Sequence, residues 1–372
     1  MLRKNIHKMS QVQVIALGYF LVIALGTLLL LLPAATEPGK TTNFLTALFT
    51  ATSATCVTGL VVVDTSIHWT IFGQSVILAM IQIGGLGFMT IGVLFAMFLN
   101  RKITLRARGL LQESMNTSQV GGVVRLAKTA IKGTIVIEVI GAVLLSVRFV
   151  PEYGLGKGIG FGIFHSVSAF CNAGFDLMGG SKGPFSSLTS YAADPVVNLV
   201  IMALIVVGGI GFLVWDDVAK HGLAFKRYRL HTKLVLTVTV FLIFGAALLF
   251  YVFEREHLMA GMGPGEAALT SLFSSVTART AGFNTIDTGG LTTSSKLLTM
   301  LLMFIGGSPG STAGGIKTTT IVVLLIYVGS NVRNSGGCNV FGRRLEDAAI
   351  RKASNVMLIS LMMATGPSLA IS

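Results

Sequence analysis

Charge is scarce in this chain. Only 12% of its 372 residues are Asp, Glu, Lys or Arg, whereas 52% are hydrophobic and the mean hydropathy is +0.78. A soluble domain carries about twice that share of charge. The composition therefore excludes an ordinary soluble fold and points to a polytopic membrane protein. Cysteine is scarce too: Cys56, Cys171 and Cys338 are odd in number and show no CxxC spacing, which argues against a disulfide framework. The catalytic signature HExxH is missing, and no His and carboxylate cluster stands at ligand spacing. That leaves a membrane enzyme without chemistry. There is no Walker loop and no dinucleotide fingerprint, so any nucleotide control has to come from another polypeptide. No small-residue cleavage site follows the apolar run at about 12–32, which is long enough to span. It reads as the first transmembrane helix.

The net charge of +13 does not indicate nucleic acid, because the positive residues are sorted by membrane side. The stretches Arg3 to Lys8, Arg101 to Lys132, Lys220 to Lys233 and Arg333 to Lys352 hold 20 of the 28 Lys and Arg. With Asp216 and Asp217 just before Lys220, this side holds five acids: Glu113, Asp216, Asp217, Glu346 and Asp347. Leaving aside Lys317 and Glu138, which lie inside apolar spans, the opposite side holds seven Lys or Arg and nine acids, among them Glu37, Asp64, Glu152, Asp176, Asp194 and Asp287. By the positive-inside bias the basic loops and the N-terminus are cytoplasmic. The basic loops Arg101 to Lys132 and Lys220 to Lys233 either just set topology and touch anionic lipid or also dock a partner. An acidic outer face raises the local cation concentration modestly.

One short pattern occurs three times: Ser53-Ala54-Thr55-Cys56-Val57-Thr58-Gly59-Leu60, Ser168-Ala169-Phe170-Cys171-Asn172-Ala173-Gly174-Phe175, and Thr277-Ala278-Arg279-Thr280-Ala281-Gly282-Phe283. The third copy is one residue shorter between its hydroxyl residue and its glycine. Each copy follows an apolar stretch too short to span and precedes a longer one. The expected organisation is an all-α membrane protein of repeated helix–pore-loop–helix units. The first, residues 1–100, has helices at about 12–32, 43–54 and 72–99. The second, 101–220, has them at about 130–150, 159–170 and 196–215. The third, 221–330, has them at about 234–253, 266–278 and 297–328. Such an arrangement brings backbone carbonyls to an axis where they replace the water around an ion.

The last helix of each unit carries paired glycines: Gly84-Gly85-Leu86-Gly87, Gly208-Gly209-Ile210-Gly211 and Gly306-Gly307-Ser308-Pro309-Gly310. They admit close backbone approach. The third copy runs on through Ser311-Thr312-Ala313-Gly314-Gly315-Ile316-Lys317, too rich in breaks for a continuous helix. Non-helical backbone at membrane depth survives only beside protein or water, which sets this loop across the ion path. Residues 331–372 read as a cytoplasmic loop and, over 355–372, the first helix of a fourth unit. A fourth filter glycine is expected near position 390, so the chain reads as a truncated or fragmentary product with three complete units.

At these residues the chain resembles the Trk/Ktr/HKT superfamily of potassium transporters, most of all the membrane subunit of the bacterial Ktr system. The resemblance covers essentially the whole chain and implies four units around a pseudo-fourfold pore. Its filter would comprise Val57, Thr58, Gly59 and Leu60; Asn172, Ala173, Gly174 and Phe175; and Thr280, Ala281, Gly282 and Phe283. Potassium would be held at Thr58, Gly59, Ala173, Gly174, Ala281 and Gly282. In the family a glycine in each segment goes with potassium preference, and a serine in the first marks sodium-permeable members; here that residue is Gly59. The intramembrane gate would be Gly306, Gly307, Ser308, Pro309, Gly310, Ser311, Thr312, Ala313, Gly314 and Gly315, with Lys317. The implied partners are a second copy of the chain and a cytosolic octameric ring that binds nucleotide. No resident cofactor is implied; the ions are potassium and, as activator, sodium. The implied function is passive or sodium-assisted potassium uptake across the bacterial cytoplasmic membrane. The alternative is a nonconducting fragment that still dimerises or binds its regulator. The departure is at the end, where the family's last helix carries an arginine facing the gate.

Several single residues carry two readings. Lys317 either tethers the gate loop or repels cations when it is closed; the bland reading is a lysine that snorkels to the interface. Arg279 would repel potassium if it faced the axis and reads better as a brace behind the filter. Glu138 lies inside a helix with no evident partner. His165 reads as a hydrogen-bonded packing residue. Asp176 and Asp287 line the outer mouth or are solvated loop residues. Cys56 and Cys171 read as small packing residues behind the filter.

Overall fold

Ser10 opens the first helix with a capping box. Its hydroxyl accepts from the Gln13 amide, and the Gln13 side chain accepts from the Ser10 amide. The 20-residue helix α1 (Gln11–Leu30) spans about 30 Å, the thickness of a bilayer's hydrocarbon core. In this computed structural model residues 9–87, 90, 92, 105–115, 122–333, 339–340, 343–344 and 347–371 are described. Cys338, Arg3 to Lys8 and Arg101 to Thr104 lie outside them.

Three short helices sit where re-entrant segments were expected. They are α2 (Phe44–Thr55), α6 (Leu155–Phe170) and α10 (Pro264–Thr277), at 12, 16 and 14 residues. At about 1.5 Å per residue none crosses a bilayer. Asn43 starts α2 by accepting from the Thr46 amide, and Pro264 starts α10 at its first position. The long helices α5 (Val123–Tyr153) and α9 (Leu230–Glu254) are, like α1, apolar and long enough to cross. Each long helix packs along a short one, α1 on α2, α5 on α6 and α9 on α10. The long helices leave Phe20, Leu21, Leu25, Val139, Val143, Phe241 and Phe244 exposed. The short ones are the buried layer, with Ala47, Ala51, Ser166, Ala169, Ser271 and Ser275 turned inward. Small side chains let helices approach closely where lipid supplies no hydrophobic force between them. This is a multi-pass membrane protein. Its α5 begins at Val123, seven residues before the expected start near 130, so Lys128 and Arg125 ride on the helix rather than in a loop.

The helices that follow the glycine loops are α3 (Ile71–Leu86), α7 (Pro195–Gly209) and α11 (Thr293–Phe304). The first two were expected to run unbroken to about 99 and 215, and they do not. Gly87 takes φ +81° at the end of α3. Gly211 takes φ +95°, and α8 (Phe212–His221) departs from α7 at 96°. The paired glycines do pack closely: a methyl on Gly84 would lie 2.0 Å from the Thr55 carbonyl oxygen, and one on Gly208 2.0 Å from that of Phe170. It is the third glycine of each Gly-Gly-x-Gly that breaks the helix, because it adopts a left-handed φ closed to most side chains. Residues 88–89, 91 and 93–99 of the expected helix lie outside the described residues. After α11, Ile305 to Lys317 is non-helical and α12 (Thr318–Val332) resumes, as expected for the third copy.

On the charged side, α4 (Leu105–Ser114) precedes α5. The buried Asp217 carboxylate accepts from the Arg229 amide and so caps the start of α9. A two-residue strand pair, Asn339–Val340 with Arg343–Arg344, precedes α13 (Asp347–Ile371), which starts before the expected 355.

Candidate functional site

The three glycine loops share one backbone trace. Val57, Asn172 and Thr280 take φ of 56°, 57° and 66°, and Gly59, Gly174 and Gly282 take 79°, 70° and 88°. The residue between them is held back to its half-helix each time: Thr58 N–H donates to Ser53 O (2.9 Å), Ala173 to Ser168 (2.8 Å) and Ala281 to Thr277 (3.0 Å). The missing residue of the third copy is absorbed before Thr280, so the loop itself keeps register. Positive φ at β-branched Val57 and Thr280 costs about 1–3 kcal/mol each and persists only where surroundings impose it. Hydroxyls brace the second and third loops. Ser168 Oγ donates to Phe175 O (2.7 Å) and Thr277 Oγ1 to Phe283 O (2.6 Å), closing each loop onto its half-helix. The first loop departs here: Ser53 Oγ is buried without a partner, and Leu60 is exposed where Phe175 and Phe283 are buried. Sequence reasoning missed these hydroxyls; the signal was a Ser or Thr near the end of each half-helix.

Neighbouring loops meet glycine to carbonyl. A methyl on Gly59 would lie 2.6 Å from Ala173 O, and one on Gly174 would lie 2.6 Å from Ala281 O. One on Gly282 would lie 3.2 Å from the Gly174 Cα. The structure thus brings the sequence-predicted loop residues together, each just past the C-terminus of α2, α6 or α10. Helix C-termini carry partial negative charge, which favours a cation at these loops.

The Ile305 to Lys317 segment lies against two of the loops. Thr312 Oγ1 donates to Phe170 O (2.9 Å) and accepts from Asn172 Nδ2 (2.8 Å). The Gly314 amide donates to Thr280 Oγ1 (3.1 Å). The left-handed residue is thus polar in the second and third loops and holds the segment through its side chain; in the first it is Val57. The segment also exchanges backbone bonds with the α7–α8 break. Ser308 N–H donates to Gly209 O, Thr312 N–H to Gly208 O, and Phe212 N–H to Gly310 O. Within the segment Gly306 donates to Ile316 O, Gly307 to Gly314 O, and Ser311 Oγ to Ser308 O. Pro309 and Gly310 form its turn beside Gly211.

Lys317 is half-buried and its Nζ donates to Ala313 O at 2.7 Å, so the ammonium ties the segment to itself and does not snorkel away. Arg279 is buried, and its Nη2 reaches Gly306 O at 3.4 Å. Glu138 finds no basic partner among the described residues; it accepts from Gln82 Nε2 (3.2 Å) and lies 4.0 Å from Cys171 Sγ. His165 is buried between Phe149 and Phe283; its Nδ1 donates to Phe161 O, and its Nε2 accepts from Leu177 N–H. Cys171 is buried as expected, whereas Cys56 is exposed. Asp287 is an exposed loop residue that accepts from Gly289 N–H. Asp176, in the loop beyond Gly174, is held more tightly. Burial, with the charge of Asp64 adding to it, pushes its carboxyl up to about 6, against a hydrogen bond from Met178 N–H.

Long apolar helices, buried half-helices and glycine loops at their ends define a class: helical membrane proteins that bring backbone polar groups to a central path. The TrkH family, described as cation transport proteins, matches residues 7–372, and the chain belongs to it. It is 42% identical over 364 residues to the potassium/sodium uptake protein NtpJ of Enterococcus hirae, covering 97% of this chain and 79% of that one. It is 47% identical over 281 residues to the Ktr system potassium uptake protein B of Bacillus subtilis, covering 75% of this chain and 61% of the relative. The matched stretch is thus about three fifths of the Bacillus protein's length. The crystal structure of the potassium transporter TrkH from Vibrio parahaemolyticus superposes with a TM-score of 0.71 at 18% identity, over 94% of this chain and 69% of that one, which shows a common fold. The family is one of transport proteins, not of enzymes.

Proposed function

We propose that the chain forms the ion path of a potassium uptake system in the bacterial cytoplasmic membrane, with its N-terminus in the cytoplasm. Residues 1–100, 101–220 and 221–330 are three pore units, and 331–372 begins a fourth around a pseudo-fourfold axis. Potassium sheds water onto carbonyls of Thr58, Gly59, Ala173, Gly174, Ala281 and Gly282. The Gly306–Gly315 segment with Lys317 is the gate. Sodium is the activator, and the driving force is membrane potential and ion gradient. The chain works as a dimer on a cytosolic nucleotide-binding ring. The names of the Enterococcus and Bacillus relatives support the ions. The observation that carries the reading is the shared pair of left-handed residues in three loops, with Gly59 and Gly174 set against the next loop's carbonyl.

The test is growth at limiting potassium in a strain without its own uptake systems, using the full reading frame with its regulatory ring. Rescue that is lost in Gly174→Ala is expected; failure to rescue with the ring present overturns the reading. Residues 1–372 expressed alone test the second reading, a nonconducting part that keeps its assembly contacts. It predicts dimers without rescue.

A further inference from the structure

Two buried residues, each with an unpartnered polar atom, line one small cavity between the second and third glycine loops. Asn172 is 1% exposed, and its Oδ1 has no hydrogen-bond partner. Arg279 is 7% exposed, and its Nε has none either. Both residues line a cavity of about 10 Å³ whose wall also includes Gly209 and Gly307. All four belong to elements the chain itself supplies.

The orientation of the Asn172 amide follows from its neighbour. Thr312 has one hydroxyl proton and donates it to Phe170 O, an acceptor only. Toward Asn172 the hydroxyl therefore accepts, at 2.8 Å, and the group facing it must be the amide nitrogen. The amide oxygen is left on the other side of the amide, without a partner, in a residue that lines the cavity. An acceptor and a charged donor thus converge on a space too small for either to fill. A buried amide oxygen left unpaired is destabilising, and an unpaired guanidinium N–H more so.

We propose that this cavity is a binding site for a single water molecule. About 10–15 Å³ is the least room a water needs, and two to four polar partners hold it. The water accepts from Arg279 Nε and donates to Asn172 Oδ1. Its second hydrogen has the carbonyls of Gly209 and Gly307 within the same wall; each accepts one bond, from Ser308 and Thr318, and keeps a second lone pair. The charge of Arg279 excludes a metal cation, and the volume excludes a larger anion. The water joins the residue two before Gly174, the residue three before Gly282 and the segment that runs beneath both. It is a positioning element for the loops, not an ion ligand.

The test is a map of the full-length, ring-bound transporter at a resolution that shows ordered waters, collected with and without bromide. A single peak within about 3.2 Å of both Asn172 Oδ1 and Arg279 Nε, unchanged by bromide, is the expected result. No peak, or one carrying bromide anomalous signal, overturns the proposal, the latter in favour of an anion. A second measurement needs no map. Asn172→Ala and Arg279→Lys should each lower the melting temperature, and the double variant should fall by less than the sum of the two, since each also loses contacts of its own. Additive shifts overturn the water link.

Discussion

The break between α7 and α8 and the break between α11 and α12 begin alike and end differently. In the first, Gly211 turns the chain through 96° and a helix resumes at once. In the second, the chain stays unwound from Ile305 to Lys317. A helix end leaves carbonyls and amides without partners. At α7–α8 those of Gly208, Gly209 and Phe212 are taken up by Thr312, Ser308 and Gly310 of the other break. The sharp bend supplies the docking points, and the long loop consumes them. A loop held by another helix's orphan groups can let go without unfolding its own helices, which a bend in a continuous rod cannot do.

The largest effect expected is from Gly174→Ala, which attacks what both breaks support. Its φ is +70°, and the new methyl would lie 2.6 Å from Ala281 O and 2.9 Å from the Gly282 Cα. Potassium influx should fall about a hundredfold or more, the equivalent of about 2.8 kcal/mol, measured as rubidium uptake in vesicles. Next comes Gly211→Ala, which strains the bend at φ +95° and would set a methyl 2.7 Å from Pro309 O. If the bend pins the loop, leak rises while the melting temperature falls by about 2–4 °C for each kcal/mol lost; stable protein with unaltered flux would separate the two breaks. Lys317→Ala removes a charge-assisted bond to Ala313 O, about twice as strong as a neutral one, and should shift the open fraction several-fold. Unchanged flux would sink its role as a tether. Thr312→Val unpairs Asn172 and Phe170 while leaving the bend intact. It should raise flux by no more than Lys317→Ala shifts it, by roughly the effect of two neutral bonds.

The smallest effect is expected outside the breaks. Asp176 is neutral below its raised value of about 6 and charged above it. Apparent potassium affinity should therefore weaken as external pH falls through that range, and Asp176→Asn should flatten the dependence. A pH profile unchanged by that variant would leave Asp176 a loop residue like Asp287.

Much of this molecule is legible in the chain, because its strongest signals are local. Runs of apolar residues near 20 or near 12 specify which helices cross and which stop short, since bilayer thickness is fixed. Gly59, Gly174 and Gly282 announce themselves by recurrence after a half-helix, and the run from Gly306 to Gly315 cannot be helical in any setting. The breaks at Gly87 and Gly211 were less legible. Gly-Gly-x-Gly marks close packing and turning alike, and only the neighbouring Thr55 and Phe170 carbonyls separate the roles of its members. Arg279 could be placed behind the loops on charge alone, but not on Gly306, and Glu138 could not be paired with Gln82.

The sequence by itself determined that this is a membrane protein, where its half-helices end and which glycines turn toward one another, because chain length against bilayer thickness and backbone φ are properties of short stretches. Tertiary structure decided that Thr312 closes on Phe170 and Asn172, about 140 residues away, and that the bend at Gly211 feeds the loop at Gly310. A hydrogen bond's partner is whichever orphan group folding brings within about 3 Å, and no local preference of either residue records which one that is.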